Sequence, residues 1–220
     1  MNLHHAHPWD VAPREAVALQ RDLAERVRFE PLPSDIETVA GVDVSVRDDR
    51  VRAAIAVLAL PDLEVVDHAT WEGPVAFPYV PGLLSFREMP AILPALDQLA
   101  SVPDVFILDA HGYAHPRRFG LACHLGVLLD KPAFGVAKSR LVGSYDEPGT
   151  AKGERSPLVH RDEVIGSVVR TRANVKPVFV SVGHRATLDD AVALTLRLAT
   201  RYKLPMPTHL AHRLSKYGAL

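Results

Sequence analysis

The sequence holds a single cysteine, Cys123, so no intramolecular disulfide can staple the fold, and a reducing cytoplasm is the expected setting. Long apolar runs are missing as well. The longest, AAIAVLAL at residues 53–60, falls far short of the roughly 18 residues a membrane-spanning helix requires. Neither end carries the apolar core of a signal peptide. Internal repeats, low-complexity tracts, heptads and extended apolar surface stripes are also lacking, which leaves a monomer without membrane contact as the expectation. Net charge is nearly absent, at −1, and on average that argues against a nucleic-acid partner, whose phosphates are bound by Lys and Arg.

The average conceals an uneven distribution. Residues 1–110 hold 8 basic against 18 acidic side chains, whereas residues 111–220 hold 17 basic against 8 acidic. Such asymmetry hints at nucleic-acid contact, although folding could equally scatter the charges. The length of 220 residues with 48% hydrophobic content fits one globular domain over residues 1–220.

The first dozen residues, MNLHHAHPWDVA, are polar and His-rich, as a metal tract or simply a solvated terminus would be. PREAVALQRDLAERV then predicts an amphipathic helix over 13–28. Three β-type runs follow between 39 and 75, separated by Asp48-Asp49 and Pro61-Asp62, and predict an antiparallel meander. In the first of them, VAGVDVSV, strand alternation sets Asp43 and Ser45 on the face opposite Val42, Val44 and Val46. FPYVPGLL at 77–84 carries two prolines and a glycine, so it reads as a stiff apolar loop, either a connector tucking Tyr79 into the core or a functional element.

Beyond that loop, Phe86, Met89, Leu93, Leu96 and Ala100 follow a helical stripe. Ser85 and Glu88 match a capping box, which would give Glu88 a purely structural role. Pro90 opposes it, because a proline beyond the first turn deletes a helical hydrogen bond. A helix starting near Pro90 would leave Glu88 at its N-terminus, available to a cation. VFILD at 105–109 reads as a strand buried on both faces, with Asp109 at its carboxyl end, where ligands of open α/β sheets gather; a surface-turn aspartate fits equally well. LACHLGVLLD predicts a helix, PAFGVAK at 132–138 a strand, VIGSVVR and KPVFVSVG two more strands, and DDAVALTLRLATRYK a helix opened by Asp189 or Asp190. A last short helix carries His209, His212, Arg213 and Lys216. The order of meander, helix, strand, helix, strand predicts an α/β protein: a ribonuclease-H-like mixed five-stranded sheet core with flanking helices and additional strands.

Three carboxylates, Asp43, Glu88 and Asp109, thus fall where one sheet end could collect them. Converging carboxylates repel unless a hard cation such as Mg²⁺ neutralises them, which makes metal-dependent phosphodiester chemistry the idea to test.

VAGVDVS, FPYVPGLLSFRE, AHPRRFGLACHLGV, GVAKSRL, PVFVSVGH and LPMPTHLAH, in this order over nearly the whole chain, resemble the endonuclease V family of deoxyinosine 3′-endonucleases. The resemblance implies a DNA-repair hydrolase that needs Mg²⁺, with Mn²⁺ as an alternative, and nicks DNA containing deoxyinosine or other deaminated bases at the second phosphodiester bond 3′ to the lesion. Asp43, Glu88 and Asp109 look like its metal ligands, with His212 near the same centre and Lys138 beside the scissile phosphate. Pro78, Tyr79, Val80 and Pro81 resemble its duplex-entering wedge. Gly82, Leu83, Leu84, Gly112, Gly135 and Leu141 fall where the family holds the everted base.

Departures from the pattern stand at Ala110 and His111, where the family usually has Gly-Gln, and at Met89 in place of glycine. The extra Cβ at Ala110 is expected to crowd a flipped base; His111 adds a side chain able to ligate metal or phosphate, or is a plain loop histidine. Val80 replaces the wedge's common isoleucine. Inosine-specific cleavage of RNA and silent binding of nucleic acid remain the rival readings, and the intact carboxylate set argues against the second.

Overall fold

The computed structural model describes residues 2–220. Its centre is an eight-stranded mixed sheet. β1 (Thr38–Arg47), β2 (Arg50–Ala59) and β3 (Glu64–Pro74) form the expected meander, and Asp48 and Asp49 join β1 to β2 with φ of 50° and 58°. Two consecutive left-handed residues match the twist of a tight hairpin, and aspartate is among the few residues that tolerate them. β4 (Val105–Leu108) and β5 (Ala133–Ala137) continue the sheet in parallel with β1. β6 (Arg155–His160), β7 (Glu163–Val169) and β8 (Val178–His184) add an antiparallel extension, giving the order β3-β2-β1-β4-β5-β8-β7-β6. The first five strands are the ribonuclease-H-like core; β6 had no counterpart in the sequence reading.

Helices cover both faces. α1 is Pro13–Ala24, α2 Leu84–Leu96, α3 Leu121–Leu129, α4 Leu188–Leu198 and α5 Met206–Tyr217. α2 and α3 pack their apolar residues against Val42 and its face of the sheet, whereas α4 shares a second cluster with Val39, Ile107 and Val180. No described helix is long and apolar enough to cross a membrane.

Four helix boundaries differ from expectation, one of them the end of α4, which stops at Leu198 rather than running on to Lys203. α1 stops at Ala24 rather than 28, with Glu25 as its C-cap. α4 is opened by Thr187, whose Oγ1 accepts from the Asp190 amide at 3.1 Å, so neither Asp189 nor Asp190 is the cap. α2 begins at Leu84, not near Pro90, and runs through Pro90 and Pro94. An interior proline costs about 3 kcal/mol, but the same helix fully buries Phe86, Met89, Ile92 and Leu96, each contributing about 2 kcal/mol. Burial outweighs the lost hydrogen bonds, and Glu88 therefore sits inside the helix with no capping box around it.

The contact that matters for the site is α5 on β1. Gly41, Asp43 and Ser45 share the face that α5 covers, and Ser45 Oγ donates to the Ser215 carbonyl at 2.7 Å. A Cβ on Gly41 would lie 2.0 Å from the Pro207 carbonyl carbon and 2.4 Å from the Thr208 amide nitrogen. Because those atoms are helix backbone, Gly41→Ala must push α5 off the sheet. We expect a loss of about 3 kcal/mol, read as a melting temperature roughly 6–12 °C lower. An unchanged melting curve would show that α5 is not held at this distance.

Candidate metal centre and nucleic-acid cleft

Because β1, β4 and β5 run parallel, their carboxyl-terminal directions agree and side chains leaving them meet at one edge. Val42 pairs with Leu108, and the Asp109 amide donates to the Val42 carbonyl at 3.0 Å, which sets Asp109 beside Asp43. Lys138 follows the last residue of β5 and its Nζ forms an ion pair with Asp109 Oδ2. From the other face α5 brings His212, whose Nδ1 lies 3.2 Å from Asp43 Oδ2 and 3.4 Å from Lys138 Nζ. Ser215, one helical turn on, donates its hydroxyl to the same Asp43 oxygen. Ser215 was not foreseen, though its i+3 spacing from His212 was a usable signal.

Ligand atoms of Asp43, Asp109 and His212 all lie within 4.8 Å of one another. At that separation two carboxylates repel by about 3 kcal/mol in a medium of effective dielectric near 20. Both carboxylate side chains are under a tenth exposed, so water screens them poorly. Asp109 Oδ2, despite the ion pair, has no donor in hydrogen-bonding geometry, and burial lifts its carboxyl above the usual range while Lys138 pulls it down. Glu88 reaches the group from α2, on the opposite face of the sheet. It lies outside the 4.8 Å cluster, yet burial first, then the charges of Asp43 and Asp109, raise its carboxyl to about 8. Burial and the two neighbouring carboxylates favour the protonated form of Glu88, and ligation by Glu88 requires its proton to leave. Hard oxygen donors, an undirected buried oxygen and mutual repulsion together fit a divalent cation.

A cleft of about 710 Å³ opens beside this group. Tyr79, Val80, Pro81, Gly82, Leu84 and Leu141 line it, together with Asp43, Asp109, Lys138 and His212. Leu83, Gly112 and Gly135 do not. Leu83 is 1% exposed in a cluster with Phe77 and Phe86. Gly112 and Gly135 are backbone contacts beneath the floor, where a Cβ would come 2.1 Å from the Val182 oxygen and 2.2 Å from the Ala110 oxygen respectively. Tyr79 is 71% exposed, and the Arg87 guanidinium sits 5.8 Å from its ring centre. Pro78, also exposed, precedes it outside the cleft lining.

The departures fall in informative places. The Ala110 methyl joins the main apolar cluster although the residue borders the cleft, and Met89 is wholly buried in that same cluster. His111 Nε2 donates to the Ser139 carbonyl at 2.9 Å, tying the turn after β4 to the end of β5, and His111 is not among the clustered ligands.

A profile of the endonuclease V family matches residues 21–213. Endonuclease V of Trichormus variabilis is 45% identical over 218 residues, covering 98% of this chain and 99% of the relative. The crystal structure of endonuclease V from Streptomyces avermitilis superposes with a TM-score of 0.91 at 47% identity, over 96% of this chain and 94% of that one. Ciona intestinalis endonuclease V, solved with a 24-mer DNA containing an inosine followed by a ribo-adenosine, gives a TM-score of 0.81 at 28% identity, over 93% and 96%.

Proposed function

The chain belongs to the endonuclease V family, and we propose that it is a Mg²⁺-dependent DNA-repair endonuclease that recognises deoxyinosine and hydrolyses the second phosphodiester bond 3′ to it. The observation that carries this reading is the meeting of Asp43, Asp109 and His212 within 4.8 Å, beside a cleft bordered by the exposed Tyr79 loop. Asp43, Glu88 and Asp109 would hold the cation, Mg²⁺ or in its place Mn²⁺. Bound there, it lowers the pKa of water and neutralises charge on phosphate oxygens.

The chain's own groups supply the rest. Lys138 provides a fixed positive charge for the non-bridging oxygens as the phosphorus becomes five-coordinate. Ser215 fixes the Asp43 carboxylate. His212, with Nδ1 turned to Asp43, keeps Nε2 uncommitted to orient water or protonate the leaving 3′-oxygen. Pro78, Tyr79, Val80 and Pro81 form the wedge, Tyr79 replacing the stacking lost when the lesion leaves the duplex, and Gly82, Leu84 and Leu141 receive the everted base.

A second reading, cleavage of inosine-containing RNA, draws on the ribo-adenosine in the DNA bound by the Ciona relative. One assay separates the two. Purified protein is incubated with matched DNA and RNA oligonucleotides carrying one inosine, with Mg²⁺ or with EDTA. A Mg²⁺-dependent nick in the DNA, two bonds 3′ of the inosine, is expected; preference for the RNA would favour the second reading, and no metal-dependent nick in either would overturn both.

A further inference from the structure

Gln20 lies on α1, distant in sequence from the carboxylates and the loop, and is 1% exposed. A glutamine sealed from water needs a protein partner for each polar atom. Its Nε2 donates to the Gly82 carbonyl at 3.0 Å and to the Phe119 carbonyl at 3.1 Å, while Oε1 accepts from Arg117 Nε at 2.6 Å. Both amide hydrogens and the oxygen are thereby used. The Gly82 carbonyl gathers two further donors, His115 Nε2 at 3.0 Å and Arg117 Nη2 at 2.6 Å. His115 is fixed in turn by accepting from the Arg117 amide at Nδ1.

Gly82 is the hinge between the PYVP stretch and α2. Its φ of +79° suits glycine, and a Cβ there would lie 2.7 Å from the Arg117 guanidinium. The loop has two buried apolar feet, Phe77 and Leu83, and two prolines restrict its φ angles between them. Between these feet Pro78, Tyr79 and Pro81 stand in solvent. A loop built in this way moves as one piece, and its aim is set where it is bolted.

We propose that Gln20 is a positioning residue for lesion recognition: by fixing the Gly82 carbonyl it presents Tyr79 as a rigid wedge, and this contribution is larger for base-paired substrates than for single strands. The inference rests on the wedge reading given above. Everting a base from a duplex costs a few kcal/mol, and a wedge already in place loses no ordering entropy when it fills the gap. A lone strand has no opposing stack to fill, so it draws on the clamp only through the base pocket at Gly82 and gains less from it.

The test measures KM and kcat, with Mg²⁺, on a duplex carrying one deoxyinosine and on the same strand alone. Gln20→Met keeps the bulk and removes the polar atoms; Gln20→Glu keeps the Arg117 bond and removes both donors. Each is expected to raise KM for the duplex about tenfold, leaving kcat and the single-strand KM within about twofold. In a Tyr79→Ala background Gln20→Met should add under about twofold, since effects passing through one side chain are not additive. Equal losses on duplex and single strand would make Gln20 merely structural and overturn the proposal; full additivity with Tyr79→Ala would overturn it too. A Tyr79→Ala protein that handles the duplex like wild type would sink the wedge reading and the proposal with it. A wild-type protein that nicks neither substrate would sink the inosine reading first.

Discussion

Asp43→Ala is expected to abolish nicking, with single-turnover cleavage of a deoxyinosine duplex falling by roughly a thousandfold or more, while binding of that duplex stays within a few-fold of wild type. Asp43 stands between Asp109 and α5, accepting from Ser215 and His212, so its loss removes the anchor of His212 and, on the proposed reading, a cation ligand with it. Residues that act as one unit lose nearly everything when any member goes. Stability should not fall in parallel. With Asp43 gone, the Ser215 hydroxyl turns its single hydrogen to the His212 carbonyl 3.1 Å away, and removing one of two crowded carboxylates relieves about 3 kcal/mol of repulsion. The informative result is therefore a dead enzyme with an unchanged or raised melting temperature. Cleavage within tenfold of wild type would place the cation elsewhere.

Lys138→Met is expected to lower kcat about a hundred- to a thousandfold with little change in KM, the pattern of an interaction made only in the transition state. Lys138 is nearly half exposed, but its ammonium rests on the buried Asp109 oxygen, so its charge is directed at the carboxylate cluster rather than at solvent. Its removal should also raise the Asp109 carboxyl further, because the ammonium is what now pulls it down against burial. Steady-state kinetics on the deoxyinosine duplex check this. A rise in KM with kcat preserved would reduce Lys138 to a general attractor of phosphate.

Much of this site is legible in the chain because it depends on strand alternation and strand ends. Strand alternation set Asp43 and Ser45 opposite three valines and the end of VFIL offered Asp109, with a surface-turn aspartate equally open there, whereas Lys138 and His212 entered only through the resemblance to the endonuclease V family. Glu88 was harder. Two prolines weigh against a helix locally, and only the depth at which Phe86, Met89, Ile92 and Leu96 are buried reverses that, which no propensity reveals. β6 went unseen because Pro157 interrupts an edge strand whose pairing with β7 is decided by the hairpin turn at Arg161 and Asp162. Gln20 carried no signal, since the carbonyls it holds are 62 and 99 residues away. Gly112 and Gly135 entered through the family resemblance; the structure adds that each is packed against backbone, where a Cβ would meet the Val182 and Ala110 carbonyl oxygens.

Asp43, Glu88 and Asp109 are proposed to share one divalent cation although they come from two faces of the sheet. Anomalous diffraction from crystals soaked in Mn²⁺ tests it most directly. The expected map has a peak within about 2.5 Å of carboxylate oxygens from all three residues, absent in Asp43→Ala crystals; a peak that leaves Asp43 or Asp109 unligated, or that survives in the variant, would contradict it.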